Sequence, residues 1–135
     1  MEALEARSWL VLPAMPEETP ALAELGVDSL ARGWSAAALA AALARSDGWA
    51  WTLRARPGAA PLGFLLGRRA LDELHVLLMA VAPAWRRRGA GAALLETALA
   101  AARAACLTAV HLEVRAGNAP ALAFYARHGF LAVGR

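Results

Sequence analysis

A chain of 135 residues suffices for one domain with a real core and is too short for two. Its 59% hydrophobic content includes 37 alanines, so the core has to come mainly from Leu, Val, Phe and Trp; Lys, Ile and Gln are absent and all 14 basic residues are Arg, a bias of composition rather than of function. Residues 1–60 hold five Arg against seven acids and residues 61–135 nine against four, so the net +3 comes from a basic second half that lacks the interleaved aromatics of a nucleic-acid face.

Cys106 is the only cysteine, which excludes an internal disulfide, and no metal-ligand spacing surrounds it. The first residues are acidic and carry no signal-peptide n-region. The longest Ala/Leu run, residues 36–44, is far below the roughly 20 residues of a membrane span. A cytoplasmic chain with no membrane partner is expected.

Residues 8–13 form a short apolar run that predicts a first strand, opened by Ser8 and closed by Pro13. Pro16-Glu17-Glu18 starts a helix acid-first, which suits the positive end of the dipole, and Gly26 stops it. Ser35 is a good N-cap for a second helix with Leu39 and Leu43 on one face and Arg45 near its end. Residues 49–56, 61–69 and 74–81 read as three strands, the first two joined by a Pro57-Gly58-Ala59-Ala60 turn.

A helix over residues 89–105 places Leu94, Leu95, Ala98, Leu99 and Ala102 on one stripe. In the strand over residues 109–114, alternation puts Val110, Leu112 and Val114 on one face and His111, Glu113 and Arg115 on the other. Asn118 caps the next helix, Pro120 is tolerated in its first turn, and Gly129 ends it. Residues 130–135 begin a further strand. The order β-α-α-β-β-β-α-β-α-β predicts an α+β domain on a mixed, mostly antiparallel sheet flanked by helices. Only the strand–helix–strand unit around the long helix needs a parallel pair.

Chemistry concentrates where a strand end runs into a basic, glycine-punctuated helix start, Arg86-Arg87-Arg88-Gly89-Ala90-Gly91-Ala92. Unpaired N–H groups and a positive helix end suit a phosphate-bearing ligand. A dinucleotide fingerprint lacks its third glycine here, and a Walker A loop lacks its G-K-[ST]. An ordinary Arg-rich helix entry is the alternative for the turn taken alone.

The R-x-x-G-x-G turn and the segment Leu112-Glu113-Val114-Arg115-Ala116-Gly117-Asn118, continuing through Tyr125 to Gly129-Phe130, together resemble the GNAT superfamily of N-acetyltransferases. Within it the similarity is greatest to the bacterial ribosomal-protein-alanine N-acetyltransferases. It covers residues 72–130 and, more loosely, Trp34-Ser35. Asn118 and Tyr125 are the only Asn and Tyr of the chain. The resemblance implies acetyl-CoA as donor, Glu113 as general base through water, and Tyr125 as general acid to the CoA sulfur.

It further implies that Met79, Ala80 and Val81 hold the pantetheine arm by their backbone, with the Val81 N–H near the thioester oxygen. The pyrophosphate falls to Arg86, Arg87, Arg88, Gly89, Ala90, Gly91 and Ala92, and Asn118 contacts the cofactor. No metal is implied. Partial burial at the end of an internal strand would make Glu113 a stronger base. The alternatives are a solvated carboxylate paired with Arg115 or Arg127, and for Tyr125 a core aromatic. His75 and His128 match no role, while His111 shares the strand face of Glu113 and is kept as a proton relay.

The implied acceptor is a protein N-terminal α-amine, the N-terminal alanine of a small-subunit ribosomal protein. Lysine, a polyamine or another small amine, and a non-catalytic CoA-binding fragment, are the alternatives. Two departures stand out: Ala82 replaces the acid or polar residue usual before Pro83, and the family's final strands beyond Phe130 are missing. The expectation is therefore a C-terminally truncated domain, spanning residues 1–135, with an open sheet edge.

Overall fold

The computed structural model of the protein describes residues 9–26 and 34–133. Ser8, the acidic first residues, Gly134 and Arg135 lie outside the described residues. In chain order the elements are β1 (Leu10–Pro13), a 3-10 turn (Pro16–Glu18) running into α1 (Thr19–Gly26), α2 (Ala36–Ala44), β2 (Gly48–Arg54), β3 (Gly63–Ala70), β4 (Glu73–Val81), a second 3-10 turn (Pro83–Trp85), α3 (Ala90–Ala104), β5 (Ala109–Leu112) and α4 (Ala119–Arg127).

Helix starts follow local chemistry. The Glu18 carboxylate accepts the Met15 N–H at 2.9 Å, and Ser35 Oγ accepts the Ala38 N–H at 3.0 Å. Arg45 is the C-cap of α2, with an extended backbone and an ion pair to Asp47 at 2.8 Å.

The sheet order is β1-β2-β3-β4-β5. The first four strands are antiparallel neighbours and β5 joins β4 in parallel, with α3 as the crossover. One face packs on α3 through Leu53, Leu65, Leu74, Val76, Leu94, Leu95 and Ala98. The other packs on α1 and α2 through Leu22, Leu39, Phe64, Leu66, Leu78 and Ala80. Burying each of these Leu side chains contributes about 1.5–3 kcal/mol, which offsets the small area of the many alanines.

One irregularity positions the site. In the β3–β4 ladder Leu66 faces Leu78 while Gly67 faces Val76, so Leu77 is the extra residue of a bulge. The insertion reverses the alternation: Leu74 and Val76 pack toward α3, whereas Leu78 and Ala80, of the same parity, pack toward α1 and α2. Pairing between β4 and β5 runs only from Glu73 to Val76 on β4 and from Ala109 to Leu112 on β5. It stops where the bulge begins, and a gap opens beyond.

Two expectations fail. Strand β5 ends at Leu112 and forms the sheet edge, so Glu113 lies past the end of an edge strand and not within an internal one. Residues 130–133 carry no strand, although residues 130–135 were expected to begin one. The Phe130 N–H is taken by the Tyr125 carbonyl at 3.1 Å, and the described residues offer no ladder partner on the outer side of β5. Leu131 and Val133 are accordingly 85% and 93% exposed.

Candidate active site

Between the parted strands lies a cavity of about 220 Å³, lined by Val76, Leu77, Leu78, Met79, Leu112, Glu113, Arg115 and Tyr125. Both expected catalytic residues are therefore at one opening. Of the apolar lining, Val76, Leu77 and Leu78 were not singled out from the sequence, and Arg115 was named only as an alternative partner of Glu113. Their common signal is the parallel register of β4 and β5, which periodicity does not reveal.

The outer edge of β4 faces this gap. The Ala82 N–H bonds to the Leu62 carbonyl at 2.8 Å, so the antiparallel alternation turns the N–H and C=O of Val81 away from β3. Arg86 Nε donates to that Val81 carbonyl at 3.0 Å. The Val81 N–H likewise faces away from β3. Of the three residues assigned to the pantetheine arm, Met79 lines the cavity, while Ala80 is buried against the α1–α2 face.

The basic turn follows directly. Gly89 is the N-cap of α3 at φ 89°, a conformation that favours glycine, and no side chain caps the helix there. The first-turn N–H groups, those of Ala90, Gly91 and Ala92 among them, have no intrahelical acceptor by construction. A Cβ on Gly91 would sit 3.5 Å from Phe124 and 3.7 Å from Met79, so α3, α4 and β4 converge at this point. Arg88 lies over Trp85, 5.3 Å from the ring centroid, and Trp85 packs edge-on against Trp9 at 5.8 Å. Arg87 is exposed with φ 61°. Open N–H donors, a positive helix end and three guanidinium groups fit a pyrophosphate, and the free edge of β4 fits the amide-bearing arm attached to it.

Asn118 Oδ1 accepts the Ala121 N–H at 3.2 Å and so caps α4, as expected. It does not line the cavity, and it starts the helix that carries Tyr125. Tyr125 is half-buried between Phe124 (5.1 Å) and Phe130 (5.6 Å), both edge-on. Burial pushes its phenol above the ordinary value of 10.0. Tyr125 is thus both a packed aromatic and a cavity residue.

Glu113 departs from expectation. Its side chain is 92% exposed, so the partial burial foreseen for it is not found. The side chain that approaches it is neither Arg115 nor Arg127 but His75, at 3.7 Å from Nε2 to Oε1. His111, the expected relay, reaches Glu73 instead, at 3.3 Å. Among the described residues no group of His, Cys, Asp and Glu could hold a metal, and no helix is long and apolar enough to cross a membrane.

Residues 14–130 match the model of the acetyltransferase (GNAT) family. The ribosomal-protein-S18-alanine N-acetyltransferase from Escherichia coli has the same fold, with a TM-score of 0.85 and 27% identity over 94% of this chain and 80% of that one. Ard1 from Thermoplasma volcanium superposes with a TM-score of 0.81 at 25% identity, over 93% and 84% of the two chains. PaiA N-acetyltransferase from Thermoplasma acidophilum, solved with coenzyme A, gives a TM-score of 0.83 at 19% identity, over 95% and 92%.

Proposed function

Since the chain belongs to the acetyltransferase (GNAT) family and is an N-acetyltransferase with acetyl-CoA as its donor, we propose that its acceptor is a protein N-terminal α-amine, in particular the N-terminal alanine of a small-subunit ribosomal protein. The observation that carries this reading is the lining of the cavity. Five apolar residues, Val76, Leu77, Leu78, Met79 and Leu112, line it together with one acid, one Arg and Tyr125. Glu113 can recruit a single ammonium, and Arg115 beside it opposes a polycation. The apolar wall suits a small first side chain such as alanine. The similarity to the S18-alanine enzyme of Escherichia coli supports the same acceptor, which would place the reaction in the cytoplasm.

Acid–base cost favours the same choice. An α-amine titrates near 7.7–8.0 and a lysine near 10.4, so neutralising lysine at pH 7 costs roughly 3–4 kcal/mol more. An exposed carboxylate is better matched to the easier amine.

In this reading the bound donor supplies a thioester whose carbonyl is the electrophile. Glu113 takes the proton of the acceptor ammonium, directly or through water. The Val81 N–H donates toward the carbonyl oxygen, where charge develops. The neutral amine adds to the carbonyl, the C–S bond breaks as Tyr125 gives its proton to the departing sulfur, and the second proton lost by the nitrogen restores the phenol. Arg86, Arg87, Arg88 and the first turn of α3 hold the pyrophosphate, and Asn118 orients the helix bearing Tyr125.

The test is a CoA-release assay on short peptides beginning with Ala, Ser or Met, beside N-blocked lysine peptides and free polyamines. Turnover of the Ala-first peptide above the others is expected. Activity on polyamines or lysine alone overturns the reading.

A further inference from the structure

Four titratable side chains form a row across β4 and β5 on the sheet face away from α3, in the order Glu73, His111, His75, Glu113. His75 and His111 are register partners, and their rings stack with 4.7 Å between centroids and 16° between planes. Each ring turns its Nε2 to the carboxylate on its own side of the stack. His111 meets Glu73 Oε1 at 3.3 Å, and His75 meets Glu113 Oε1 at 3.7 Å. Of the two carboxylates only Glu113 lines the cavity.

We propose that His75 is the positioning partner of Glu113, holding the carboxylate at the cavity mouth and taking up the proton it draws from the acceptor ammonium. The proposal rests on Glu113 being the base, as read above. A 92%-exposed carboxylate has little else to fix its rotamer, whereas His75 is only 32% exposed and is braced by the stack on His111. Closing 3.7 Å to a hydrogen bond of about 3.0 Å needs a small rotation of the Glu113 side chain.

The proton path balances. An N–H bond of the ammonium breaks and its proton goes to the carboxylate of Glu113. The resulting O–H bond then breaks as the proton moves to Nε2 of His75, whose neutral imidazole becomes imidazolium. The exposed ring edge returns the proton to water, and Glu113 is again a carboxylate.

Class values explain the benefit. Carboxylates titrate near 4.3 and α-amines near 7.7–8.0, so passing the proton to a carboxylate alone is unfavourable by roughly 3,000-fold. An imidazole, near 6.5, reduces that to roughly 20-fold. The charged groups facing His75 are Glu113 and His111 from β5, Arg68 opposite it on β3, and Glu73 two residues before it on its own strand.

The experiment measures kcat, the acceptor KM and acetyl-CoA affinity from about pH 6 to 9, the range in which imidazoles titrate. The proteins are wild type, H75Q, H111Q, E113Q and the double variant H75Q/E113Q, with melting temperatures as a check on folding. H75Q can still donate a hydrogen bond but cannot carry a proton. It should lower kcat about 10-fold or more, flatten the acid limb of the pH profile and leave acetyl-CoA affinity unchanged. H111Q removes the ring that braces His75 and should lower kcat by less than H75Q does, and the double variant H75Q/E113Q should be no slower than E113Q. If H75Q melts early, H75A with added imidazole gives the same readout, rescue being expected.

Wild-type kcat and pH profile in H75Q, or no rescue of H75A, overturns the partnership. So do multiplicative losses in the double variant. If E113Q keeps wild-type kcat, the base reading itself fails and takes this proposal with it. H75Q at wild-type rate with E113Q impaired removes only His75.

Discussion

The ring of Phe130 packs edge-on against Tyr125 because the backbone joins the same two residues: the rings are 5.6 Å apart, and the Phe130 N–H bonds to the Tyr125 carbonyl at 3.1 Å. With Gly129 N–H on the Ala126 carbonyl at 3.1 Å this forms a Schellman motif, whose characteristic apolar contact is here the Phe130–Tyr125 pair. A helix end thus fixes the ring of the expected general acid. Gly129 supports the motif with φ 90°.

Gly129→Ala should therefore cost about 1 kcal/mol through left-handed strain, lowering the melting temperature by about 3–5 °C. The loosened Phe130 should also lower turnover. A melt and a transfer assay read both. Unchanged values in both would show that the motif does not hold Tyr125.

Tyr125 is the chain's only tyrosine, so an absorbance titration of tyrosinate reports it alone. Burial raises its pKa, and the midpoint should lie above 10. The sign for stability follows from the raised value: the folded state holds the phenolic proton more tightly than the unfolded chain does. Its contribution is present below about pH 10 and is lost as pH climbs through the raised value. Tyr125→Phe keeps the ring contacts and should melt as wild type while transferring about 100-fold more slowly. A midpoint at or below 10 contradicts the burial; full activity in the variant leaves Tyr125 a packing residue only.

Local chemistry made much of this legible. Ser35, Gly89, Asn118 and Gly129 each act within four residues of their own position, so the sequence displays the helix ends they set. The bulge at Leu77 is different. Residues 74–81 are apolar except for His75, and a parity reversal leaves no mark in a uniform run. Strand order is not local either. Only the edge position of β5 exposes Glu113, and only its parallel register brings His75 beside it, 38 positions away in the chain. The expected last strand misread Phe130, whose N–H closes a helix and does not enter a ladder.

Pyrophosphate binding at the α3 start can be separated from helix strain. Gly89→Asn and Gly89→Asp place similar volume at φ 89°, and Asn and Asp tolerate that region better than most residues. They differ by one negative charge at the helix end. The Asp variant should bind acetyl-CoA at least 10-fold more weakly than the Asn variant, an effect of about 1.4 kcal/mol. Isothermal titration decides it. Equal affinity in the two variants removes the phosphates from this turn.

A largely buried ion pair, Glu18–Arg54, joins the first helical turn to β2. Arg54 Nη2 bonds to the Glu18 carboxylate and, at 2.9 Å, to Thr52 Oγ1, while Nη1 donates to the Ala59 carbonyl at 2.8 Å. The Arg54 and Glu18 side chains are only 13% and 17% exposed, and among the described residues Arg54 Nε finds no acceptor. Removing Glu18 alone leaves the guanidinium largely buried without its counter-charge, and also removes the acceptor of the Met15 N–H. Glu18→Ala should therefore cost about 3 kcal/mol, the lower end of the range for a broken buried pair because both groups keep some water. Pairing Glu18→Leu with Arg54→Met removes both charges, and should recover most of that loss, since apolar groups of similar volume often replace such pairs without penalty. Urea unfolding of the two variants measures the difference. A loss below about 0.5 kcal/mol in Glu18→Ala would class the contact with exposed surface pairs, and a double variant as weak as the single one would mean that Glu18 acts through the helix cap and not through Arg54.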